Sequence, residues 1–225
     1  MGSSARPPEP VRLAVFAKAP IPGEVKTRLN GILGPEGSAA LHAGLVRHAL
    51  STAVASRVGP VELHCSPDEH HDFFLRCAET FRVPLVAQQG KDLGERLHRA
   101  FEVAFASGSA LIVIGSDCPV LRAENLREAS AALRLGSPFM GTGSDGRAVI
   151  IPAEDGGYVL IGLAARVEGL FAGVDWGTDA VLRQTRVRFA NAGVRCVELP
   201  PLWDIDRPED YARLAAEGLL DEVLS

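Results

Sequence analysis

Residues 110–119 read ALIVIGSDCP, a run of five apolar side chains followed by a small polar segment that contains an acid. An uninterrupted apolar run of this length predicts a strand buried on both faces, as the strands of a parallel sheet are. In such sheets ligands bind outside the carboxyl ends of the strands. Asp117 follows the strand directly, so it is the first candidate for a functional side chain.

On both sides of this strand, short apolar runs alternate with amphipathic stretches. Leu41, Leu45, Ala49 and Ala53 recur every four residues, which predicts a helix. The alternation predicts an α/β protein, a Rossmann-like three-layer α/β/α sandwich with a mostly parallel mixed sheet. We expect residues 11–225 to form a single domain and residues 1–10 a flexible tail.

The boundaries of the other elements follow from the same patterns. Strands are predicted at residues 12–17, 61–65, 84–87, 148–151, 158–163 and 194–199. Further helices are predicted at residues 68–80, 124–135, 178–191 and 208–220. A helix that starts near Leu93 is expected to bury Leu93 itself, and Thr178 is the expected N-cap of a later helix.

Composition excludes several classes of protein. The 225 residues are 47% hydrophobic and 23% charged, with a formal net charge of -5, which is typical of a globular protein. No apolar run approaches the roughly 20 residues of a membrane-spanning helix, and no signal peptide is evident, so we expect a cytoplasmic protein with no membrane partner. The charge disfavours a nucleic-acid partner. The spacing of the four cysteines predicts reduced, mostly buried thiols.

The first strand runs into a loop, residues 18–28, that is rich in positive charge. Its three cations are Lys18, Lys26 and Arg28. Pro22 stiffens the loop, and Gly23 allows a ligand to approach the backbone closely. Cations together with free backbone N–H groups suit a phosphate chain, although the loop lacks the Walker A pattern. The alternative is a solvated basic turn.

Two acidic segments are candidates for a metal site. Asp117 could hold Mg²⁺ or Mn²⁺ against a diphosphate, because hard cations prefer oxygen ligands and share them with substrates. Asp204 and Asp206 lie on the same side of an extended segment, since side chains alternate along it. A second carboxylate beside Asp117 would complete a two-ligand site. The alternatives are helix caps, Asp117 on the next helix and Asp206 on the last one. Cys118 is predicted to be a packing thiol.

A turn at residues 155–158, DGGY, combines an acid, two glycines and an aromatic ring. An acceptor substrate could lie against its bare backbone, with Asp155 as the base or the hydroxyl anchor. The alternative is that the glycines serve only positive φ angles. Residues 141–146, GTGSDG, match G-x-G-x-x-G, but they follow a helical pattern and precede a strand. The dinucleotide motif has the opposite order, so a surface loop is predicted there.

Several stretches together resemble the DUF2064 family. They are residues 16–29 (FAKAPIPGEVKTRL), 92–97 (DLGERL), 114–119 (IGSDCP), 155–163 (DGGYVLIGL), 176–178 (WGT) and 204–210 (DIDRPED). They follow the family's order and cover nearly the whole chain after the tail. Members of this family are glycosyltransferase-like proteins with the nucleotide-diphospho-sugar transferase (GT-A) fold, and the resemblance implies that fold here.

The resemblance also implies a site with three parts. The residues implied at the nucleotide are Lys18, Pro22, Gly23, Lys26, Thr27, Arg28, Gly94, Arg96 and Asp117. Those assigned to the acceptor are Asp155, Gly156, Gly157, Tyr158 and Trp176. Asp117 and Asp206 would hold Mg²⁺ or Mn²⁺, and the catalytic residues would be Lys26, Asp117 and Asp155. Residues 136–147 add a Gly-rich excursion that the family usually lacks.

Three functions are compatible with these patterns. The first is a metal-dependent transferase that moves a glycosyl group from a nucleotide-diphospho-sugar to an unknown acceptor. The second is a nucleotidylyltransferase, guanylyltransferase-like, which transfers NMP from an NTP and releases pyrophosphate. The third is a non-catalytic module that only binds nucleotides. In each case the expected partner is a nucleotide or a nucleotide sugar.

Overall fold

A computed structural model describes residues 10–134 and 147–224 of the chain. The strands in these residues are β1 Val11–Lys18, β2 Val61–Ser66, β3 Leu85–Ala87, β4 Ala110–Ile114, β5 Arg147–Pro152, β6 Tyr158–Leu163 and β7 Arg195–Glu198. They form a seven-stranded sheet in the order β3-β2-β1-β4-β6-β5-β7. Neighbours are parallel except at β6, which is antiparallel to β4 and to β5. The predicted mostly parallel mixed sheet is therefore confirmed.

Helices cover both faces of the sheet. They are α1 Asn30–Ser56, α2 Asp72–Phe81, α3 Leu93–Ala106, α4 Ala123–Arg134, α5 Val181–Asn191, α6 Pro208–Ala216 and α7 Leu220–Leu224. Buried residues of α1, α2 and α4 pack in one apolar cluster with one face of β1. Buried residues of α3 and α5 pack in a second cluster on the opposite face. The predicted three-layer α/β/α sandwich is thus confirmed.

Strand β4 explains why the sheet needs two apolar layers. All five of its residues are buried. Ile112 and Ile114 belong to one cluster, whereas Leu111 and Val113 belong to the other. Alternate side chains of a strand point to opposite faces, so an unbroken apolar run fits only a strand covered on both sides.

Four details of the predicted elements are wrong. Helix α2 begins at Asp72, not at residue 68, because the Asp68 side chain accepts the His70 N–H in a turn and His71 becomes the N-cap. The last helix is two helices, since the positive φ of Gly218 ends the first.

The other two errors concern single side chains. Leu93 is 42% exposed at the start of α3, where it lines a hollow at the surface. Thr178 does not cap α5. That helix has Ala180 as its N-cap, and Thr178 instead accepts the Ala180 N–H one turn earlier.

The order of the strands positions the functional end of the sheet. Helix α1 connects β1 to β2 across one face, whereas α3 connects β3 to β4 across the other. The direction of winding therefore reverses between β1 and β4, which are neighbours in the sheet. Crevices outside the carboxyl ends of strands at such a point are where ligands bind in α/β proteins.

Two sequence predictions fall largely outside the described residues. These are the flexible tail at residues 1–10, of which only Pro10 is described, and the Gly-rich excursion at residues 136–147, of which only Arg147 is described. The surface loop predicted at residues 141–146 also lies outside them. In the described part of the chain, no helix is both long enough and apolar enough to cross a membrane.

Candidate functional site

A hollow of about 590 Å³ opens at the carboxyl ends of β1 and β4. The sequence candidates on its wall are Lys18, Lys26, Thr27, Arg28, Arg96, Asp117 and Asp206. Four further polar side chains also line it, namely Glu24, His42, Gln88 and Ser116. The basic loop and the two candidate metal carboxylates, which are far apart in sequence, therefore meet at one place. Pro22 and Gly23 lie in the exposed part of the loop and do not line the hollow.

Lys26 ties the basic loop to both acidic segments. Its backbone has a φ of 48°, in the left-handed region that residues other than glycine seldom adopt. Its side chain is only 5% exposed, and its Nζ lies 2.9 Å from Oδ1 of Asp117. The same ammonium group donates to the main-chain carbonyl of Ile205. Lys26 is therefore a buried cation that contacts both acidic segments. It is not part of a solvated basic turn.

Asp117 is an ionised carboxylate in the described geometry. Burial opposes its ionisation, but Lys26 and His42 outweigh burial and hold the pKa of Asp117 well below its usual range. Helix α4 begins at Ala123, six residues further on, so Asp117 is not the cap of the next helix. Its main-chain carbonyl accepts the N–H of Ile205 at 2.9 Å, which draws residues 204–206 to the end of β4.

Asp206 forms an ion pair with Arg28 at the rim of the hollow. It does not cap α6, whose N-cap is Arg207. Oδ2 of Asp210 accepts the N–H groups of Asp206 and Arg207 instead, at 3.0 and 2.7 Å. The prediction that Asp206 caps the helix is therefore wrong. The carboxylate of Asp206 is available to pair with the basic loop.

Asp204 is a third carboxylate near the ends of these strands. Burial, together with the nearby charges of Asp155 and Asp117, raises the pKa of Asp204 to about 7. This clustering brings the 155–158 turn close to the acids that follow β4. The resemblance to the DUF2064 family favours Asp206 as the metal ligand and gives Asp204 no separate role.

Backbone geometry explains why the 155–158 turn contains glycine. Gly156 has a φ of 94°, and a Cβ there would lie 2.5 Å from the carbonyl oxygen of Asp179. The N–H of Gly157 donates to Oδ1 of Asp155 at 2.8 Å and so fixes the orientation of that carboxylate. A need for positive φ thus accounts for Gly156, while an acceptor role for this turn stays a prediction.

Tyr158 and Trp176 pack against each other edge to face, with 6.4 Å between ring centroids. Both rings pack on the apolar cluster beneath α3 and α5. Neither lines the hollow. Gly94 lies beside them, where a Cβ would be 2.7 Å from the indole nitrogen of Trp176. Gly94 lines a second cavity of about 380 Å³, on the other side of the start of α3.

Arg96 and Gln88 build the wall of the hollow beyond β2 and β3. Nη1 of Arg96 donates to Oγ of Ser66 at 3.0 Å, and its Nε donates to the carbonyl of Gly90 at 3.2 Å. Nε2 of Gln88 donates to the carbonyls of His64 and Ala17 at 2.7 and 3.2 Å. These bonds fix both side chains across three strand ends.

Sequence reasoning missed His42 and Gln88 as residues of this region, and it named Asp204 only beside Asp206, as one of two acids on the same side of an extended segment. His42 follows Leu41 on the buried stripe of α1, so its pattern is that of an ordinary core histidine. Gln88 comes just after β3, and that position at a strand end is a signal that could have found it. Nothing in the local pattern separates Asp204 from Asp206.

The residues present are compatible with a divalent cation. In the described residues, no group of three or more His, Cys, Asp or Glu side chains is arranged to hold a metal. Mg²⁺, however, is usually bound by one or two carboxylates together with substrate phosphates and water. Asp117 and Asp206 line the same hollow, and Nδ1 of His42, buried beside Asp117, has no hydrogen-bond partner among the described residues. This donor set suits a cation that is shared with a phosphate ligand.

The fold and the strand-end hollow define an α/β protein of the nucleotide-diphospho-sugar transferase type. Residues 49–178 match the family described as uncharacterized protein conserved in bacteria (DUF2064). The chain belongs to the DUF2064 family. No curated protein matches the sequence.

Solved structures share this architecture. A candidate nucleotide-diphospho-sugar transferase from Desulfovibrio desulfuricans G20 is 27% identical, with a TM-score of 0.76 over 96% of this chain and 98% of that chain. A cytidylyltransferase from Leptospira borgpetersenii is 15% identical, with a TM-score of 0.59 over 92% and 85%. Glucosyl-3-phosphoglycerate synthase from Mycobacterium tuberculosis, in complex with Mn²⁺ and UDP, is 12% identical, with a TM-score of 0.52 over 96% and 79%. The last two similarities concern the fold alone.

Proposed function

We propose that this protein is a metal-dependent transferase that uses a nucleotide-diphospho-sugar and passes the glycosyl group to an acceptor. The observation that carries the proposal is the hollow itself. Within it, the cations of the basic loop and two carboxylates from distant segments line one space of about 590 Å³. That volume is in the range of small-molecule and cofactor sites, about 300–1,000 Å³.

The cations of the loop would bind the diphosphate. In the structure Lys26 and Arg28 are paired with Asp117 and Asp206. A diphosphate in the hollow would offer both cations further negative charge and oxygen acceptors. When the bond between the sugar and the diphosphate breaks, negative charge builds on the leaving diphosphate. Cations already fixed at that position stabilise this charge without having to reorganise.

Asp117 and Asp206 would hold the Mg²⁺ or Mn²⁺ ion that the fold family implies. Such a cation supplies charge stabilisation for the leaving phosphate oxygen. Its relevance is supported by the Mycobacterium tuberculosis synthase, whose solved complex contains Mn²⁺ and UDP. Lys18 and Arg96 would complete the positive lining from the sides of β1 and α3.

On the acceptor side, Asp155 is the proposed base. Its Oδ1 is held by the Gly157 N–H, and Oδ2 would accept the proton of an acceptor hydroxyl group. Because Gly156 and Gly157 carry no side chain, the acceptor could approach the backbone of this turn closely. Tyr158 and Trp176 would support the turn from the apolar cluster below.

Product analysis tests this function. The protein is incubated with nucleotide sugars or nucleoside triphosphates, Mn²⁺ and a small-molecule cell extract as the source of acceptor. We expect Mn²⁺-dependent release of a nucleoside diphosphate from a nucleotide sugar. Release should be lost in Asp117→Asn and kept in Glu128→Gln, whose parent residue is an exposed acid of α4 outside the hollow.

A nucleotidylyltransferase is the second candidate, because four cationic side chains line the hollow and a triphosphate carries more negative charge than a diphosphate. Its signature in the same assay is pyrophosphate released from a nucleoside triphosphate. Nucleotide binding without either product would favour the third candidate, a non-catalytic binding module.

A further inference from the structure

His42 is a buried histidine on the wall of the hollow, 4% exposed in the middle of α1. Its Nε2 donates to the main-chain carbonyl of Lys18 at 3.0 Å. Its Nδ1 lies 3.7 Å from Oδ1 of Asp117 and has no hydrogen-bond partner among the described residues. The ring therefore stands between the end of β1 and the carboxylate that follows β4.

The sheet itself does not connect these two points. The last pair of residues in the β1–β4 ladder is Val15 and Ile114. Lys18 and Asp117 each lie three residues further on, where β1 pairs only with β2. The imidazole ring bridges the gap that opens between the two strand ends. Such buried polar bridges are costly to leave incomplete, because a buried nitrogen without a partner has lost its water.

Among the described residues, the polar side-chain contacts of Asp117 are on one oxygen. Nζ of Lys26, Oγ of Ser116 and Nδ1 of His42 approach Oδ1 at 2.9, 3.3 and 3.7 Å. The side chain of Asp117 is nevertheless 43% exposed. Oδ2, which carries none of these contacts, is thus the oxygen left for a ligand in the hollow. A separation of 3.7 Å is too long for a hydrogen bond, but active-site contacts often tighten only when the ligand is bound.

We propose that His42 is a positioning residue for Asp117. As the imidazolium, whose two nitrogens both donate, it anchors on the carbonyl of Lys18 through Nε2 and restrains Oδ1 through Nδ1, so that Oδ2 stays directed at the cation and phosphate of the donor. This inference rests on the proposed function, because it assigns His42 to the same metal and donor site. Groups that orient a metal ligand in this way typically change metal affinity by 10–100-fold when they are removed.

Two substitutions separate the two contacts of the ring. The amide nitrogen of His42→Asn can occupy the position of Nδ1 and donate to Asp117, but it is too short to reach Lys18. The amide of His42→Gln can reach the position of Nε2 and keep the bond to Lys18, but it loses the contact with Asp117. The two variants are matched in polarity, so a general loss of packing would affect both.

The experiment titrates Mn²⁺ into wild-type protein and variants and follows free Mn²⁺ by electron paramagnetic resonance, with melting curves for each protein. We expect the wild type to bind Mn²⁺ and Asp117→Asn not to bind it. The Mn²⁺ affinity of His42→Gln should be at least about 10-fold lower than that of the wild type, whereas His42→Asn should have near wild-type affinity. Wild-type affinity in folded His42→Gln would overturn the role of His42 alone. Absence of Mn²⁺ binding by the wild type would overturn this inference, whereas the proposed function, in which the cation is shared with phosphate, is tested by the product assay with nucleotides present.

If His42→Gln does not fold, His42→Asn decides the question. Retained affinity in His42→Asn supports the positioning role, since the contact with Asp117 is the one it keeps. A 10-fold loss of affinity in His42→Asn with an unchanged melting temperature overturns it.

Discussion

Asp204 is a carboxyl group that the fold keeps from ionising easily. Burial and the charges of Asp155 and Asp117 raise its pKa to about 7, against about 3.9 for an aspartate in an unfolded chain. At pH values between these two pKa values, Asp204 is protonated in the folded state and ionised in the unfolded state. The stability linked to this proton is fully present below pH 4 and is lost as the pH rises through 7.

Asparagine does not titrate, so replacing Asp204 by Asn removes this loss of stability with rising pH. Without added metal, we expect the free energy of unfolding of Asp204→Asn to exceed that of the wild type by an amount that grows by roughly 1–3 kcal/mol between pH 4 and pH 8. Urea unfolding at several pH values measures this difference. A difference that stays constant from pH 4 to pH 8 would show that Asp204 does not titrate in this range.

The pair formed by Lys26 and Asp117 makes a second prediction at the residue scale. Lys26→Met leaves the carboxylate without its closest cation, and Asp117→Asn leaves a buried ammonium group with uncharged acceptors, the amide oxygen at position 117 and the Ile205 carbonyl. We expect a double-mutant cycle to give a coupling energy of about 1–2 kcal/mol at pH 7. The coupling should vanish as the pH falls toward the lowered pKa of Asp117, because protonation removes the charge. Purely additive effects at pH 7 would contradict the pair.

Helix α7 packs against α1 at the element scale, and Gly44 is where the two approach. A Cβ at Gly44 would overlap the carbonyl oxygen of Val223. In most helices a change from Gly to Ala is stabilising by up to about 1 kcal/mol. Gly44→Ala should instead destabilise the protein and release α7.

The control for this prediction is Gly31→Ala in the short segment of α1 that precedes a kink at Gly34, where a Cβ would meet nothing within 4 Å. Hydrogen exchange of residues 220–224 should speed up in Gly44→Ala and remain unchanged in Gly31→Ala. Equal protection of α7 in both variants would contradict the close packing at Gly44.

Most of the elements could be predicted from periodicity, because the apolar spacing reflects which faces are buried. The five apolar residues of β4 and the stripe of Leu41, Leu45, Ala49 and Ala53 are all buried as predicted. Helix ends could not be predicted as well, since they depend on local hydrogen bonds such as that of Asp68 to His70. Leu93 lines the hollow, a position that periodicity does not encode.

At the scale of the whole molecule, the topology explains how distant residues meet. The reversal of winding between β1 and β4 opens a crevice, and the bond from Ile205 to Asp117 lays the segment before α6 across it. The sequence could therefore predict that the basic loop, Asp117 and Asp206 line one hollow. It could not predict His42, because a histidine on an apolar helix face usually belongs to the core. Nor could it predict the charge state of Asp204, which depends on its burial and on acids from two other segments, Asp155 and Asp117.

The central claim is that the hollow binds a nucleotide diphosphate through the basic loop and Asp117. Calorimetric titration of nucleoside diphosphates with Mn²⁺ present tests it most directly, with Asp117→Asn, Arg28→Ala and the control Glu128→Gln alongside the wild type. We expect the wild type to bind one nucleotide per chain, and only when Mn²⁺ is present. Binding should disappear in Asp117→Asn and be unchanged in Glu128→Gln. In Arg28→Ala it should weaken about 10-fold, because a charge-assisted contact of roughly 1.5 kcal/mol is lost. Binding of equal strength in folded Asp117→Asn, or no binding of any nucleoside diphosphate by the wild type, would contradict the claim.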